Sequence, residues 1–305
     1  MAQAVRNKIS FEFPNGIKLE KGVLYVTQEP FKLIQAISGL IAELLQDTNT
    51  IELLNGTEKE NELLALGNTL LESLLFHEGK IKLIAPVCPD YAQESSDAFY
   101  QTIGSGVSPQ ANAAIKASQI ISHIFPQYGF SPSIEILVAD TEDDLSEVMH
   151  RCVNDSPQEY FGRCLTSSQA IQQQVEELPS VTATTFTQAL GNDFRITQYA
   201  YEGLIKDVFI NNPRFARELQ KMGDLRGDRH AKILGRAEVD YELTIRYMAQ
   251  YAALGSLSRG LGVPTILLNY PTPNLTFFNA VLHKDPALSL SQADQQVLPI
   301  IETIL

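Results

Sequence analysis

The sequence predicts an α/β protein: an open, mostly parallel sheet flanked by helices, with an N-terminal β-hairpin and a helical pair ahead of it. Three observations carry this expectation. Residues 81–87, 133–140 and 264–269 (Ile-Lys-Leu-Ile-Ala-Pro-Val, Ser-Ile-Glu-Ile-Leu-Val-Ala-Asp and Pro-Thr-Ile-Leu-Leu-Asn) are short apolar runs bounded by turn residues, as strands buried on both faces are. Residues 109–126 between the first two carry Ala and Ile at helical spacing, so the strands are joined by a crossover and run parallel. Polar residues close or follow all three runs, where parallel strands of an open sheet leave a ligand crevice.

In chain order, Ile9-Ser-Phe-Glu-Phe13 and Val23-Leu-Tyr-Val26 alternate apolar and polar residues around Pro14-Asn-Gly16 and Lys21-Gly22, which predicts a hairpin. Leucine and isoleucine at three- and four-residue spacing predict helices over 28–47 and 58–77, with Asn55-Gly56-Thr57 between them. Residues 1–78 therefore form an N-terminal unit packed on a main domain of 79–305. Further helices are expected at 142–151, at 156–178 with Ser156 as cap and Pro157 in its first turn, at 193–211, at 212–222, and from 237 to 259 before Gly260. Val181-Thr-Ala-Thr-Thr-Phe-Thr187 is β-branched and predicts a strand. Residues 224–236 concentrate charge around two glycines and read as a loop.

Composition narrows the function classes. With 305 residues and 44% hydrophobic content the chain can bury a sizeable core. A net charge of -13 repels phosphate backbones and anionic lipid, which disfavours a general nucleic-acid or membrane-surface role. Cys88, Cys152 and Cys164 lack zinc-type spacing, nothing near the N-terminus reads as a signal peptide, and no apolar run approaches the ~20 residues that span a bilayer. The expectation is a cytoplasmic protein with reduced thiols.

Chemistry-bearing residues gather at the ends of the apolar runs. Asp90 and Tyr91 follow the first, Asp140 closes the second, and Asn269 and Asn274 flank the loop after the third. Gly104-Ser-Gly-Val-Ser-Pro-Gln-Ala-Asn112 precedes a helix, so its amides and Ser108 suit a phosphate or carboxylate; equally, Ser108 is an N-cap before Pro109. Asp140-Thr-Glu-Asp-Asp144 offers carboxylates for Mg²⁺ or ribose hydroxyls; equally, Thr141 caps the next helix while the carboxylates face its positive end. Arg229 and His230 lie in the charged loop, suited to clamping an anion. Tyr247, Arg246 and Gln250 form part of a polar stripe on the helix 237–259. Cys88 has no histidine near it in sequence and reads as a buried thiol.

The order of elements resembles that of the class I aminoacyl-tRNA synthetase-like Rossmann group, and in particular is similar to the cyclodipeptide synthases. The resemblance rests on Gly106-Val-Ser108-Pro109, which matches the family's Gly-x-Ser-Pro loop, and on Tyr247, which matches the tyrosine of its Tyr-x-x-x-Glu-x-Pro helix. It implies a Rossmann-like fold over residues 80–283 and a serine that carries an aminoacyl group. Tyr251 and Ala253 stand where the family has glutamate and proline, and Arg163 is the one basic residue of 156–178, so the resemblance leaves tRNA as a partner open without a basic face to bind it.

These residues define three readings. The first is a transferase for a small amino-acid-like or anionic substrate: Ser108, Tyr247 and Asp140 do the chemistry, while Asp90, Tyr91, Gly106, Arg229, His230, Arg246, Gln250, Asn269 and Asn274 bind substrate, with no metal and no particular cofactor implied. The second is a Mg²⁺-dependent nucleotide or nucleotide-sugar transferase using Asp140, Glu142 and Asp144. The third is a non-catalytic ligand-sensing or interaction protein.

Overall fold

The computed structural model describes residues 10–12, 17–20, 23–26, 30–46, 51–52, 59–87, 91–92, 102–103, 106–140, 157–213, 215–217, 219–221, 223–224, 241–259, 262–269 and 299–303. Along the chain the elements are β1 (Ser10–Glu12), β2 (Ile17–Glu20), β3 (Val23–Val26), α1 (Pro30–Gln46), β4 (Ile51–Glu52), α2 (Lys59–Phe76), β5 (Lys80–Val87), β6 (Tyr91–Ala92) and β7 (Thr102–Ile103). There follow α3 (Pro109–Ile124), a 3-10 turn at Phe125–Tyr128, β8 (Ser131–Val138), α4 (Pro157–Gln174), β9 (Val181–Thr185), α5 (Phe186–Asn211), α6 (Tyr241–Arg259), β10 (Thr265–Asn269) and β11 (Ile300–Thr303).

The central sheet has the order β4-β11-β10-β5-β8-β9. The pairs from β11 through β9 are parallel, and β4 closes one edge antiparallel to β11. This is an α/β protein with a Rossmann-like, open, mostly parallel sheet. At the N-terminus the two strands expected to form a hairpin each pair with β2, which lies between them. Neither β4 nor β11 was expected from the sequence.

Side-chain alternation divides the core in two. Ile81, Leu83, Ala85 and Val87 of β5 point with Ile134, Ile136, Ile266 and Leu268 into the layer of α1 to α4. Ile84, Leu137 and Leu267 point the other way, onto Phe194, Ile205, Met248 and Ala252 of α5 and α6. α3 presents Ala111, Ala114 and Ala117, whose short side chains let the helix approach the strands closely. An ion pair interrupts the second layer where Lys82 Nζ meets Glu135 Oε1 at 2.8 Å, diagonally across β5 and β8.

Helices α1 and α2 share the first core through Leu40, Leu44, Leu66 and Leu70. α1 also docks on the 3-10 turn: a Cβ on Gly39 would fall 2.5 Å from the Tyr128 ring, and the Tyr128 hydroxyl donates to Glu43 Oε2 at 2.7 Å. That hydrogen bond, aided by desolvation and by the charge of Glu43, raises the Tyr128 pKa above the ordinary phenol value. A group protonated more tightly in the fold stabilises it fully below the unfolded value of about 10 and loses that contribution as pH rises through the folded value. Urea unfolding of the native chain and of Tyr128→Phe should therefore differ by a constant amount at neutral pH, with the gap closing in strong alkali.

The helix expected at 193–211 begins earlier, at Phe186, because Thr185 caps it by accepting from Gln188 N. Gly191, with φ 61° and ψ −153°, breaks the helical geometry, so the regular apolar pattern starts only beyond it. The helix expected at 142–151 lies outside the described residues. No helix among the described residues is long and apolar enough to cross a membrane.

Candidate active site at the C-terminal edge of the sheet

From β5 the chain moves through β8 to β9 on one side, then returns to place β10 and β11 on the other. The connections leaving β5 and β10 therefore diverge, and such a reversal opens a crevice beyond the strand ends. Register fixes which ends share it: Val87 pairs with Val138 and Val138 with Thr185, while Leu267 pairs with Ile84, which sets Asn269 level with Pro86. The termini of β10, β5, β8 and β9 thus form one edge.

Ser108 stands at this edge as the N-cap of α3. Its backbone is extended (φ −65°, ψ 158°), its hydroxyl accepts from Ala111 N at 3.1 Å, and its carbonyl accepts from Asn112 N at 2.9 Å. The side chain is 2% exposed. Pro109 occupies the first turn and no acidic residue stands there, so the positive end of the helix keeps its attraction for an anion.

Asp140 follows β8 and is 6% exposed. Its carboxylate accepts from Thr187 N at 3.0 Å and from the Thr187 hydroxyl, in the first turn of α5. The carboxylate thus serves the N-terminus of a helix 47 residues further on, whereas the cap expected of Thr141 lies outside the described residues. The hydroxyls of Thr185 and Thr187 lie 3.4 Å apart, completing a polar corner at the end of β9.

One helix face holds both loops in place. Ser167 of α4 donates to Gly106 O at 2.7 Å, two residues before Ser108. Tyr160 OH donates to Ala139 O at 3.1 Å, with Cys164 Sγ 3.5 Å from the same oxygen, one residue before Asp140. Tyr160, Cys164 and Ser167 follow one another at four- and three-residue spacing, hence on one side of the helix. All three are buried. None was singled out as a site residue from the sequence, although that spacing was there to find. Thr187 was missed because the β-branched run ending in it was read wholly as strand.

The last wall comes from α6. It ends six residues before β10, near the opposite edge of the sheet, which directs its first turns toward the crevice. Gln250 is 2% exposed on this helix. Arg246 Nε lies 3.7 Å from Glu202 Oε1 of α5, an oxygen that also takes Lys206 Nζ at 2.7 Å, so this guanidinium shares a carboxylate rather than standing alone. Tyr91, Tyr247 and Asn269 are placed on β6, on the second turn of α6 and at the end of β10 by their backbones. Asp90, Cys88, Glu142, Asp144, Arg229, His230 and Asn274 lie outside the described residues.

No protein-family model and no curated protein matches the chain. Among solved structures it is similar to a cyclodipeptide synthase from Bacillus thermoamylovorans, with 13% identity and a TM-score of 0.48 over 86% of this chain and 100% of that one. It is also similar to the CDPS from Staphylococcus haemolyticus, with 12% identity and a TM-score of 0.46 over 84% of this chain and 99% of that one.

Proposed function

We propose that the protein is a transferase for a small amino-acid-like or anionic substrate, and that its chemistry is acyl transfer through Ser108. The observation that supports this most is the shared anchorage of the two loops on α4: the tethers at Gly106 and Ala139 hold the cap serine and the buried carboxylate to one edge of the sheet. Preorganised groups at fixed separation are what group transfer requires.

In this reading residues 79–305 carry the site and residues 1–78 support it by packing on that domain. Ser108 Oγ attacks an activated aminoacyl ester, the ester alcohol leaves with the serine proton, and an incoming amine then displaces the serine to give an amide. The N-terminus of α3 steadies the carbonyl oxygen as it becomes negative. Asp140 and Asp90 orient the amine, Tyr247 moves the proton, and Arg246 or Arg229 balances charge, with Tyr91, Gly106, His230, Gln250, Asn269 and Asn274 shaping the pocket. A donor carried on tRNA approaches against the chain's net charge of -13, so a short aminoacyl ester is the better first probe.

The test is intact-mass spectrometry of the protein after incubation with aminoacyl-tRNA and, separately, with aminoacyl esters of a nucleoside. An adduct of one aminoacyl mass, mapped to the peptide holding Ser108, is the expected result. A protein that stays unmodified by every donor, while thermal shift shows it binding free amino acids or phosphate, would establish ligand binding without acyl transfer and overturn the proposed chemistry.

A further inference from the structure

We infer that the outward face of α5 is a docking surface for a second copy of this chain, the two helices lying antiparallel about a two-fold axis through Gly203. Inward, α5 buries Phe194, Gln198, Tyr201, Ile205 and Val208. Outward it carries Ile196, Tyr199, Gly203, Asp207 and Ile210, all exposed. The two isoleucines are 67% and 77% exposed and the tyrosine 60%, an unusual apolar load for one helix face that meets water.

What names the occupant is the symmetry of this face. Ile196 and Ile210 lie seven residues before and after Gly203, and Tyr199 and Asp207 four before and after it. A two-fold axis through Gly203 brings each residue against the one equally far on the other side. Ile196 then meets Ile210 of the second copy, aliphatic on aliphatic, and Tyr199 meets Asp207, a phenolic donor on a carboxylate acceptor. Seven-residue spacing keeps such a seam together at a shallow crossing angle. At the centre two glycines face each other, so no side chain holds the backbones apart.

Gly203 itself supports this. A Cβ there would meet nothing within 4 Å, so packing within the chain does not require glycine, although glycine weakens a helix interior. An unrelated partner would give no reason for complementary residues to stand equally far on either side of this position. One helix pair is a small contact, so the dimer should form at micromolar rather than nanomolar concentration.

Sedimentation of the intact protein across the micromolar range should show reversible dimerisation, and Gly203→Arg should remain monomeric with a melting temperature no lower than that of the native monomer, because its side chain enters open space and replaces a helix-interior glycine. With oxidised glutathione as the oxidant, Gly203→Cys should form a disulfide-linked dimer, reversed by reductant, at least about tenfold faster than Gly162→Cys, since thiols held on the axis react at a raised effective concentration. Gly162 is the control because it too meets nothing within 4 Å, on α4, but has Gln158, Glu159 and Thr166 around it, with Leu165 the one exposed apolar neighbour and no apolar counterpart equally far on the other side. A native chain that stays monomeric throughout, a dimer that survives Gly203→Arg, or equal cross-linking of the two cysteine variants would each overturn the inference.

Discussion

Gly79→Ala is expected to destabilise the protein by roughly 3–4 kcal/mol, the sum of a severe overpacking and a left-handed backbone that alanine resists. Gly79 has φ +78° at the entry to β5, and an added Cβ would drive into the carbonyl oxygen of Gly129. Neither side can yield. Gly79 N donates to Ser73 O at 2.9 Å, Gly79 O accepts from Ser131 N at 2.8 Å, and Ser73 Oγ donates to Lys80 O at 2.8 Å, so the turn is held from both ends. Gly129→Ala isolates the two causes. It has a similar φ of +84°, but its nearest foreign atom is Leu74 Cδ2 at 4.0 Å, so it should lose only about 1 kcal/mol. Urea denaturation of both variants checks the pair; equal losses would mean that the clash at Gly79 is relieved by movement.

Ser108→Gly should lower acyl transfer by about 10³-fold or more while costing only a few tenths of a kcal/mol in stability. The two effects separate because glycine is tolerated at an N-cap almost as well as serine, whereas no other group replaces a missing nucleophile. Alanine would confuse them, since it weakens the cap of α3 and the entry to the site together. If Ser108→Gly and native protein acylate and turn over alike, Ser108 serves α3 alone and the chemistry belongs elsewhere. Ser108→Thr is the complementary variant: it keeps a hydroxyl and a capping oxygen, and partial activity there would place the function in the hydroxyl itself.

The strands buried on both faces were legible in the sequence because near-continuous apolar runs mark the middle of a parallel sheet, and β5, β8 and β10 are such runs apart from Lys82 and Glu135. β4 and β11 were not. Ile51–Glu52 and Ile300–Thr303 are too short to show a period, and they exist as strands by virtue of the partners that the fold supplies. The same division holds at the site. Ser108 as a cap before Pro109 is a local matter, written in adjacent residues, and was read correctly as one of two alternatives. The tie of Asp140 to Thr187, and those of α4 to Gly106 and Ala139, join residues distant in sequence whose own neighbourhoods give no sign of the contact.

The ion pair between Lys82 and Glu135 bears on how the sheet assembles. Slipping β8 by one position along β5 would turn Glu135 toward the aliphatic layer that holds Leu83 and Ile136, stranding a carboxylate where no cation waits among the described residues. From Leu83 to Val87 against Ile134 to Val138 the pairing is otherwise aliphatic and has little else to tell one offset from the next. One lysine and one glutamate thus favour the native offset, and exchanging both for leucine should leave the final structure standing but slow its refolding.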